Sequence, residues 1–231
     1  MASVLITGAN RGLGFEFARQ YAADGWHVYG ACRNPASADQ LRGVAQETGD
    51  RLSIVAMDVT DAESIRTAAR QIRDIAVDVL INNAGIGGAG GQVTGKVDYE
   101  SWARVIDVNT MGPLRVTEAF VEQIARSQRR LVVTITSGMG SLVDNTSGGS
   151  IAYRSSKAAV NMVMRSAAID LAPRGITCVV VNPGWVKTDM GGPGARFTPK
   201  ESVAALRRLI ETFGPAHSGK FYNYDGREYP W

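Results

Sequence analysis

The stretch SVLITGANRGLG, Ser3 to Gly14, sets an apolar run directly before three glycines, Gly8, Gly12 and Gly14. Val4, Leu5 and Ile6 read as a strand, and glycine is the residue that lets a chain turn sharply or lets a ligand approach its backbone. A strand feeding a glycine loop that opens a helix points free N–H groups and the positive helix end at one spot, which suits a phosphate. The stretch therefore predicts a dinucleotide-binding start. The alternative is a plain tight turn.

Working outward, the same alternation continues along the chain. Short β-branched runs predict strands at Ser3–Thr7, His27–Cys32, Leu52–Ala56, Val79–Asn82, Leu131–Thr136, Thr177–Asn182 and about Lys220–Asn223. Between them, apolar periodicity predicts helices at Leu13–Ala23, Ala38–Glu47, Ala62–Ile75, Tyr99–Gln128 with an interruption near Gly112–Pro113, Tyr153–Leu171 and Glu201–Thr212. Strand-helix alternation implies an α/β fold: a doubly wound, Rossmann-type parallel sheet of about seven strands in the order 3-2-1-4-5-6-7, with helices on both faces. No linker, repeat or low-complexity tract divides residues 1–231, so one domain is expected.

Composition excludes several classes. The net charge is +3, but the arginines are scattered rather than blocked into a stripe, so nucleic acid is not an expected partner. No apolar run reaches the roughly 18 residues of a membrane span, and the glycine loop starts too early for a signal peptide. The expected address is cytoplasmic. Cys32 and Cys178 fall in separate strand-like runs and form no metal-type pair, so no metal site is expected. No G-x-S-x-G occurs, which leaves a hydrolase without support.

Ligands of doubly wound sheets bind at the carboxyl ends of the strands. The strands deliver chemistry there: the glycine loop, then Met57-Asp58-Val59, Asn82-Asn83-Ala84-Gly85, Thr136-Ser137 and Asn182-Pro183-Gly184. The glycine-dense Gly85–Gly91 reads as a flexible loop or a pocket rim at the same edge. In YRSSK, Tyr153 and Lys157 stand four residues apart, on one helix face. A phenol titrates near 10 unaided, and a neighbouring ammonium favours its charged form.

TGANRGLG, Asp58-Val59, NNAG, Asn109, Ser137, YRSSK and NPGWVKT, in this order and at these element ends, resemble the short-chain dehydrogenase/reductases across essentially the whole chain. NTSGGSIAYRSSKAA, NPGWVKTDMGG and DGREYPW resemble the smaller C-factor/sniffer-like carbonyl reductases within that family. The resemblance implies an NADPH-dependent reductase that converts a ketone or aldehyde into an alcohol, reversibly. In that reading Tyr153 is the general acid, Lys157 lowers its pKa and holds the nicotinamide ribose, and Ser137 binds the substrate oxygen. Asn109 fixes a bend in its helix and a water behind Lys157.

For the cofactor, the resemblance assigns the pyrophosphate to Gly8, Gly12 and Gly14, with Asn10, Arg11 and Leu13 in the same loop. It gives the adenine to Asp58 and Val59, and the adenosine ribose to Asn83, Ala84 and Gly85. Pro183 and Gly184 turn the chain so that Val186 and Thr188 reach the nicotinamide. After the second strand no carboxylate awaits a ribose 2′-hydroxyl; Arg33 stands there instead, and Arg11 lies in the glycine loop. Arginine at that place accommodates a 2′-phosphate, so NADP(H) is expected over NAD(H).

The family's serine ordinarily stands nearer its tyrosine than the 16 residues separating Ser137 from Tyr153, and Ser141, 12 residues before, fits the count better. Position favours Ser137, at the end of the fifth strand, and leaves Ser141, Leu142 and Val143 as substrate contacts. Trp185, Met190 and Phe197 suggest an apolar pocket wall. An epimerase shares Tyr and Lys, but its relatives resemble longer chains with a different glycine spacing. The alternative from another class is a non-catalytic dinucleotide sensor or signalling protein of the C-factor type. A homodimer or homotetramer is open, through the Ala- and Met-rich face of the Tyr153–Leu171 helix.

Overall fold

Seven parallel strands, β1 (Ser3–Thr7), β2 (His27–Cys32), β3 (Leu52–Ala56), β4 (Val79–Asn82), β5 (Leu131–Ile135), β6 (Thr177–Asn182) and β7 (Phe221–Asn223), pair in the order β3-β2-β1-β4-β5-β6-β7. This computed structural model describes residues 1–49 and 51–231. The order is the one the sequence predicts. It is a Rossmann-type sheet, and its strands are continuous apolar runs because both faces are covered.

Side chains alternate between those faces. Val4 and Ile6 join Val28, Val133 and Val181 under α1 (Gly12–Ala23), α2 (Asp39–Glu47) and α7 (Pro199–Thr212). Leu5, Leu80, Val132 and Cys178 face the other way, under α3 (Ala62–Gln71), α5 (Gly112–Ala125) and α6 (Ile151–Asp170). Leu5, Ile6, Leu80 and Ile81 are wholly buried, and each contributes about 1.5–3 kcal/mol on leaving water. Cys32 and Cys178 are free buried thiols on β2 and β6, with β1, β4 and β5 between them. Among the described residues, no helix is long and apolar enough to cross a membrane.

Element ends differ from the sequence reading in three informative places. The interruption expected near Gly112–Pro113 takes the form of a π-helical segment, Asp107–Met111, that joins α4 (Tyr99–Ile106) to α5 without ending the helix. Proline has no N–H to offer the turn before it, and the wider π turn absorbs that loss one step earlier. Helix α6 begins at Ile151, after Ser150 in a left-handed conformation (φ 46°), so Tyr153 sits inside its first turn. Helix α7 begins at Pro199, fixed by a capping box in which Thr198 and Glu201 bond reciprocally.

After β7 the chain turns through Asp225-Gly226 and comes back antiparallel, with Tyr222 opposite Glu228. The returning residues pack on the sheet's last strand: Tyr229 and Trp231 lie 4.9 and 5.6 Å from the Phe221 ring. That return path carries the chain back toward the loop after β5.

Candidate active site

The three glycines of the first loop serve different needs. Gly8 and Gly12 take positive φ, 65° and 56°, which makes the turn. Gly14 is required by contact: a Cβ there would stand 2.2 Å from the Gly8 carbonyl oxygen and 2.5 Å from the Asn83 amide. Asn83 donates to the Thr7 and Gly8 carbonyls at 2.9 and 3.2 Å, and the N–H groups of Asn83 and Ala84 both donate to the Thr7 hydroxyl at 3.0 Å. The Asn83 side chain, expected beside a ribose, is therefore committed to bracing the glycine loop. Thr7, which the sequence reading passed over, ties the two strand ends together. Its place in TGANRGLG, one residue before the first glycine, was the available signal.

Arg11 precedes α1 and gives it no side-chain cap, so the first N–H groups of Gly12, Leu13 and Gly14 are open to an anion. Its guanidinium pairs instead with Asp189, 2.8 Å away, across the cleft. A Cβ on Gly12 would lie 3.5 Å from Thr188, so the segment after β6 sits against the glycine loop. Arg11, expected to add charge at a 2′-phosphate, has the exposed Asp189 carboxylate as its partner in the structure. Arg33 is exposed at the end of β2, and among the described residues it has no ion-pair partner. Asp58 accepts from the Thr60 N–H and hydroxyl through Oδ1, at 2.9 and 2.7 Å, beside the buried Val59.

Ser137, Tyr153, Lys157 and Asn109 come together past the ends of β4 and β5. The Ser137 hydroxyl accepts from the Met139 N–H at 3.1 Å, which leaves its proton free to donate. Ser141 is 2 % exposed and donates to the Trp231 main-chain oxygen at 3.2 Å while accepting from the Asp144 N–H at 3.2 Å. Its hydroxyl is occupied within the protein. Leu142 and Val143 are exposed.

Lys157 is buried and donates to the Ile135 carbonyl at 3.0 Å. Burial pulls its pKa down to about 8, since a desolvated ammonium is disfavoured. Its Nζ lies 5.7 Å from the Tyr153 ring centre. Burial pushes the Tyr153 phenol above its usual value, and Ser137 opposes that shift in part. The expected lowering of the Tyr153 pKa by Lys157 is not what this site displays: the ammonium is turned to a backbone carbonyl, and desolvation dominates the phenol. A Cβ on Gly85 would stand 3.7 Å from Lys157 Nζ and 3.3 Å from Asn109 Oδ1, so this glycine keeps the approach to the lysine clear.

Asn109 sits within the π-helical segment, where a side chain is re-aimed by the extra residue. It accepts from the Ile86 N–H and donates to the Ile86 carbonyl, both at 2.9 Å, and donates to the Ser156 hydroxyl at 3.0 Å. Ser156 in turn donates to the Tyr153 carbonyl at 2.8 Å. Asn109 thereby locks the Gly85–Gly91 loop to the helix that bears Tyr153 and Lys157.

A cavity of about 210 Å³ opens beside Tyr153, walled by the Gly87–Gln92 loop, Ser150, Ala152 and Met190. The glycine-dense tract is thus a pocket rim. Of the three expected wall residues, Met190 lines this cavity. Phe197 packs on Tyr224, 4.8 Å away, and Trp185 is exposed with its indole N–H on the Gly191 carbonyl at 2.8 Å. Pro183 and Gly184 make the turn after β6, with Gly184 at φ 78° and Val186 buried behind it. A hollow of about 260 Å³ between α1 and α7 contains none of these residues.

Residues 2–196 match the family model described as short chain dehydrogenase. The chain belongs to the short-chain dehydrogenase family. It is a carbonyl-reductase-like oxidoreductase of that family, and solved structures similar to it include carbonyl reductases. The NADPH-bound carbonyl reductase from chicken fatty liver is 32% identical with a TM-score of 0.92, covering 100% of this chain and 99% of that one. The carbonyl reductase Sniffer of D. melanogaster is 31% identical with a TM-score of 0.91 and full coverage of both chains. The C-signal protein of Myxococcus xanthus is 47% identical over 167 residues, 72% of this chain and all of that protein. This short-chain dehydrogenase brings Ser137, from the end of β5, together with Tyr153 and Lys157 of α6 and Asn109 of the π-helical segment, at the sheet edge where its architecture concentrates ligands.

Proposed function

We propose that this short-chain dehydrogenase reduces a ketone or aldehyde to the alcohol, reversibly, with NADP(H) as hydride carrier and Tyr153 as general acid. The observation that carries the reading is the meeting of Ser137, Tyr153 and buried Lys157 beside a cavity walled by Met190. The likeness to an NADPH-bound carbonyl reductase supports the cofactor class. A nicotinamide dinucleotide, when bound, supplies hydride to the carbonyl carbon.

The residues fit such a group. The uncapped N–H groups of α1 suit its pyrophosphate, the free Oδ2 of Asp58 suits the adenine amine, and the space kept by Gly85 gives its ribose access to Lys157. Arg33 reads the 2′-phosphate through its planar fork. Arg11 is the lesser contributor, because it must first leave Asp189.

Each side chain then has one task. Ser137 donates to the substrate oxygen and holds it within reach of the phenol. Tyr153, kept neutral by its raised pKa, donates its proton to that oxygen as negative charge develops there. Lys157 offsets the charge left on the phenolate, and Asn109 keeps the loop and the helix in register. Met190 and the glycine rim wall the cavity in which the substituents of the carbonyl would sit. The test is oxidation of NADPH, followed by its absorbance, with a carbonyl panel, in wild type and Tyr153→Phe. Wild-type turnover with at least about a hundredfold loss in the variant, at nearly unchanged NADPH binding, supports the reading. Full turnover in Tyr153→Phe sinks it.

The likeness to C-signal favours a second reading, a dinucleotide-binding signalling protein without catalysis. NADPH binding with no oxidation against any carbonyl selects it.

A further inference from the structure

The loop that begins at Ser137 is gripped from both sides. Its 3-10 turn, Gly138–Gly140, supplies the Met139 N–H that orients the Ser137 hydroxyl. On one side a Cβ at Gly140 would stand 2.8 to 3.0 Å from Lys157, so this turn is pressed on α6. On the other side a Cβ at Gly138 would stand 2.8 Å from the Tyr229 hydroxyl. Farther along, the Trp231 main-chain oxygen accepts from the Ser141 hydroxyl at 3.2 Å and from the Val143 N–H at 3.1 Å. Asp144 faces the Tyr229 hydroxyl and, with burial, pushes that phenol up to about 12. Tyr229 is itself fixed: its N–H donates to the Phe221 carbonyl at 2.7 Å and its ring packs on Phe221. The strap Tyr229–Trp231 lies beyond residue 196, where the family match ends.

From this double grip we infer that the strap Tyr229–Trp231 is a positioning element for Ser137. Tyr229, through Gly138 and Asp144, sets the turn that aims the Ser137 hydroxyl at the substrate oxygen. The inference rests on Ser137 as the group that binds this oxygen. It gives the extra residues between Ser137 and Tyr153 a purpose: the longer loop reaches the returning chain and is anchored there. Tyr229 touches neither the reacting atoms nor the glycine loop, so its effect is confined to turnover.

The test measures kcat and KM for a carbonyl substrate, and NADPH binding by fluorescence, in wild type, Tyr229→Phe, Ser137→Ala and the double variant, with thermal unfolding as a control. Tyr229→Phe removes the hydroxyl that meets Gly138 and Asp144 and is expected to lower kcat about tenfold, with NADPH affinity within about twofold. In the Ser137→Ala background the same change is expected to cost nothing further, because both act on one hydrogen bond. Asp144→Asn, an exposed change, is expected to reproduce a large part of the Tyr229→Phe loss. Unchanged turnover in Tyr229→Phe, a loss that multiplies with that of Ser137→Ala, or an equal loss of NADPH affinity overturns the inference and leaves the reading of Ser137 standing. Full turnover in Ser137→Ala overturns that reading, and the inference falls with it.

Discussion

The glycine loop after β1 and the turn after β5 are both built on glycines that a Cβ would not fit, yet they are held by opposite means. Gly14 meets the carbonyl of Gly8, in its own loop, and the amide of Asn83. Gly138 meets the hydroxyl of Tyr229, and Gly140 meets Lys157, both far along the chain. A loop whose glycine closes on its own backbone carries a local sequence requirement that can be recognised wherever it stands, although Asn83 also braces it from the neighbouring strand. A loop braced by residues remote in sequence, through their backbone as well as their side chains, takes its shape from the rest of the fold.

The sharpest way to break this contrast is to add one methyl group to each. In Gly14→Ala the new Cβ meets backbone at 2.2 Å and nothing there can rotate away, so a cost of about 3 kcal/mol or more is expected. Thermal unfolding is expected to fall by several degrees, and NADPH affinity by at least about a hundredfold, since the loop must open to relieve the clash. In Gly138→Ala the Cβ meets the Tyr229 hydroxyl at 2.8 Å, so the clash displaces the Ser137 turn rather than the glycine loop. Near-normal NADPH affinity with reduced kcat is expected there. Equal losses of NADPH affinity in both variants break the contrast.

The next largest effect sets stability against activity within the second region. Lys157 has a pKa near 8 in the folded protein against an ordinary 10.5. Between those values the unfolded chain binds more protons than the folded one, so stability rises as pH climbs through that window. Below pH 8 the buried ammonium is a full liability. Lys157→Met is therefore expected to unfold at higher temperature than wild type at pH 7, by an equivalent of about 1–3 kcal/mol, and to lose the rise between pH 8 and 10.5. Turnover is expected to fall at least about a hundredfold. Calorimetry across that pH range checks the first statement. A variant less stable than wild type at pH 7 shows that the hydrogen bond to Ile135 outweighs desolvation.

Strand order, the helices and the positions of Ser137, Tyr153 and Lys157 were legible because each depends on a pattern spanning a few residues. Val4, Leu5 and Ile6 followed by glycine is a strand and a loop whatever surrounds it. Spacing and position pointed apart for the serine: the count favoured Ser141, the strand end favoured Ser137, and the burial of Ser141 against Trp231 supports the proposal of Ser137. The Asn83 bracing of the glycine loop, the Arg11–Asp189 pair and the grip of Tyr229 were not legible. Each joins residues that only the folded sheet brings together. The sequence does carry one hint, Asp225-Gly226 before an aromatic run, a turn signal that implies the chain comes back.

Arg33 tests the first region at smaller scale. A lone arginine at the end of β2, without a carboxylate neighbour, is expected to discriminate cofactors by charge alone. Arg33→Ala is expected to raise the Michaelis constant for NADPH about tenfold, equivalent to about 1.4 kcal/mol, and to leave NADH nearly unchanged. Steady-state kinetics with both cofactors checks it. An equal loss for the two, or a wild-type preference for NADH, shows that Arg33 does not read the 2′-phosphate.

The smallest expected effect distinguishes the two serines of the second region. Ser141→Ala removes a hydrogen bond to the Trp231 main-chain oxygen and leaves the Asp144 N–H without its acceptor. One net hydrogen bond is worth about 1 kcal/mol, and the neighbouring Val143 N–H keeps its bond to the same oxygen. The strap is therefore loosened at one of its anchors while Tyr229 and its grip on Gly138 persist. Thermal unfolding is expected to drop by the equivalent of about 1 kcal/mol, with turnover within about threefold of wild type. Ser137→Ala leaves every strap contact in place and removes the hydroxyl facing the substrate oxygen; the Met139 N–H it frees is only half-buried and can bond to water, so turnover is expected to fall at least about tenfold with a smaller loss of stability than in Ser141→Ala. Measured side by side, stability and turnover should therefore rank the two variants in opposite orders. If Ser141→Ala proves the more damaging to kcat, the role passes to Ser141, and the buried hydroxyl must leave Trp231 to reach its substrate.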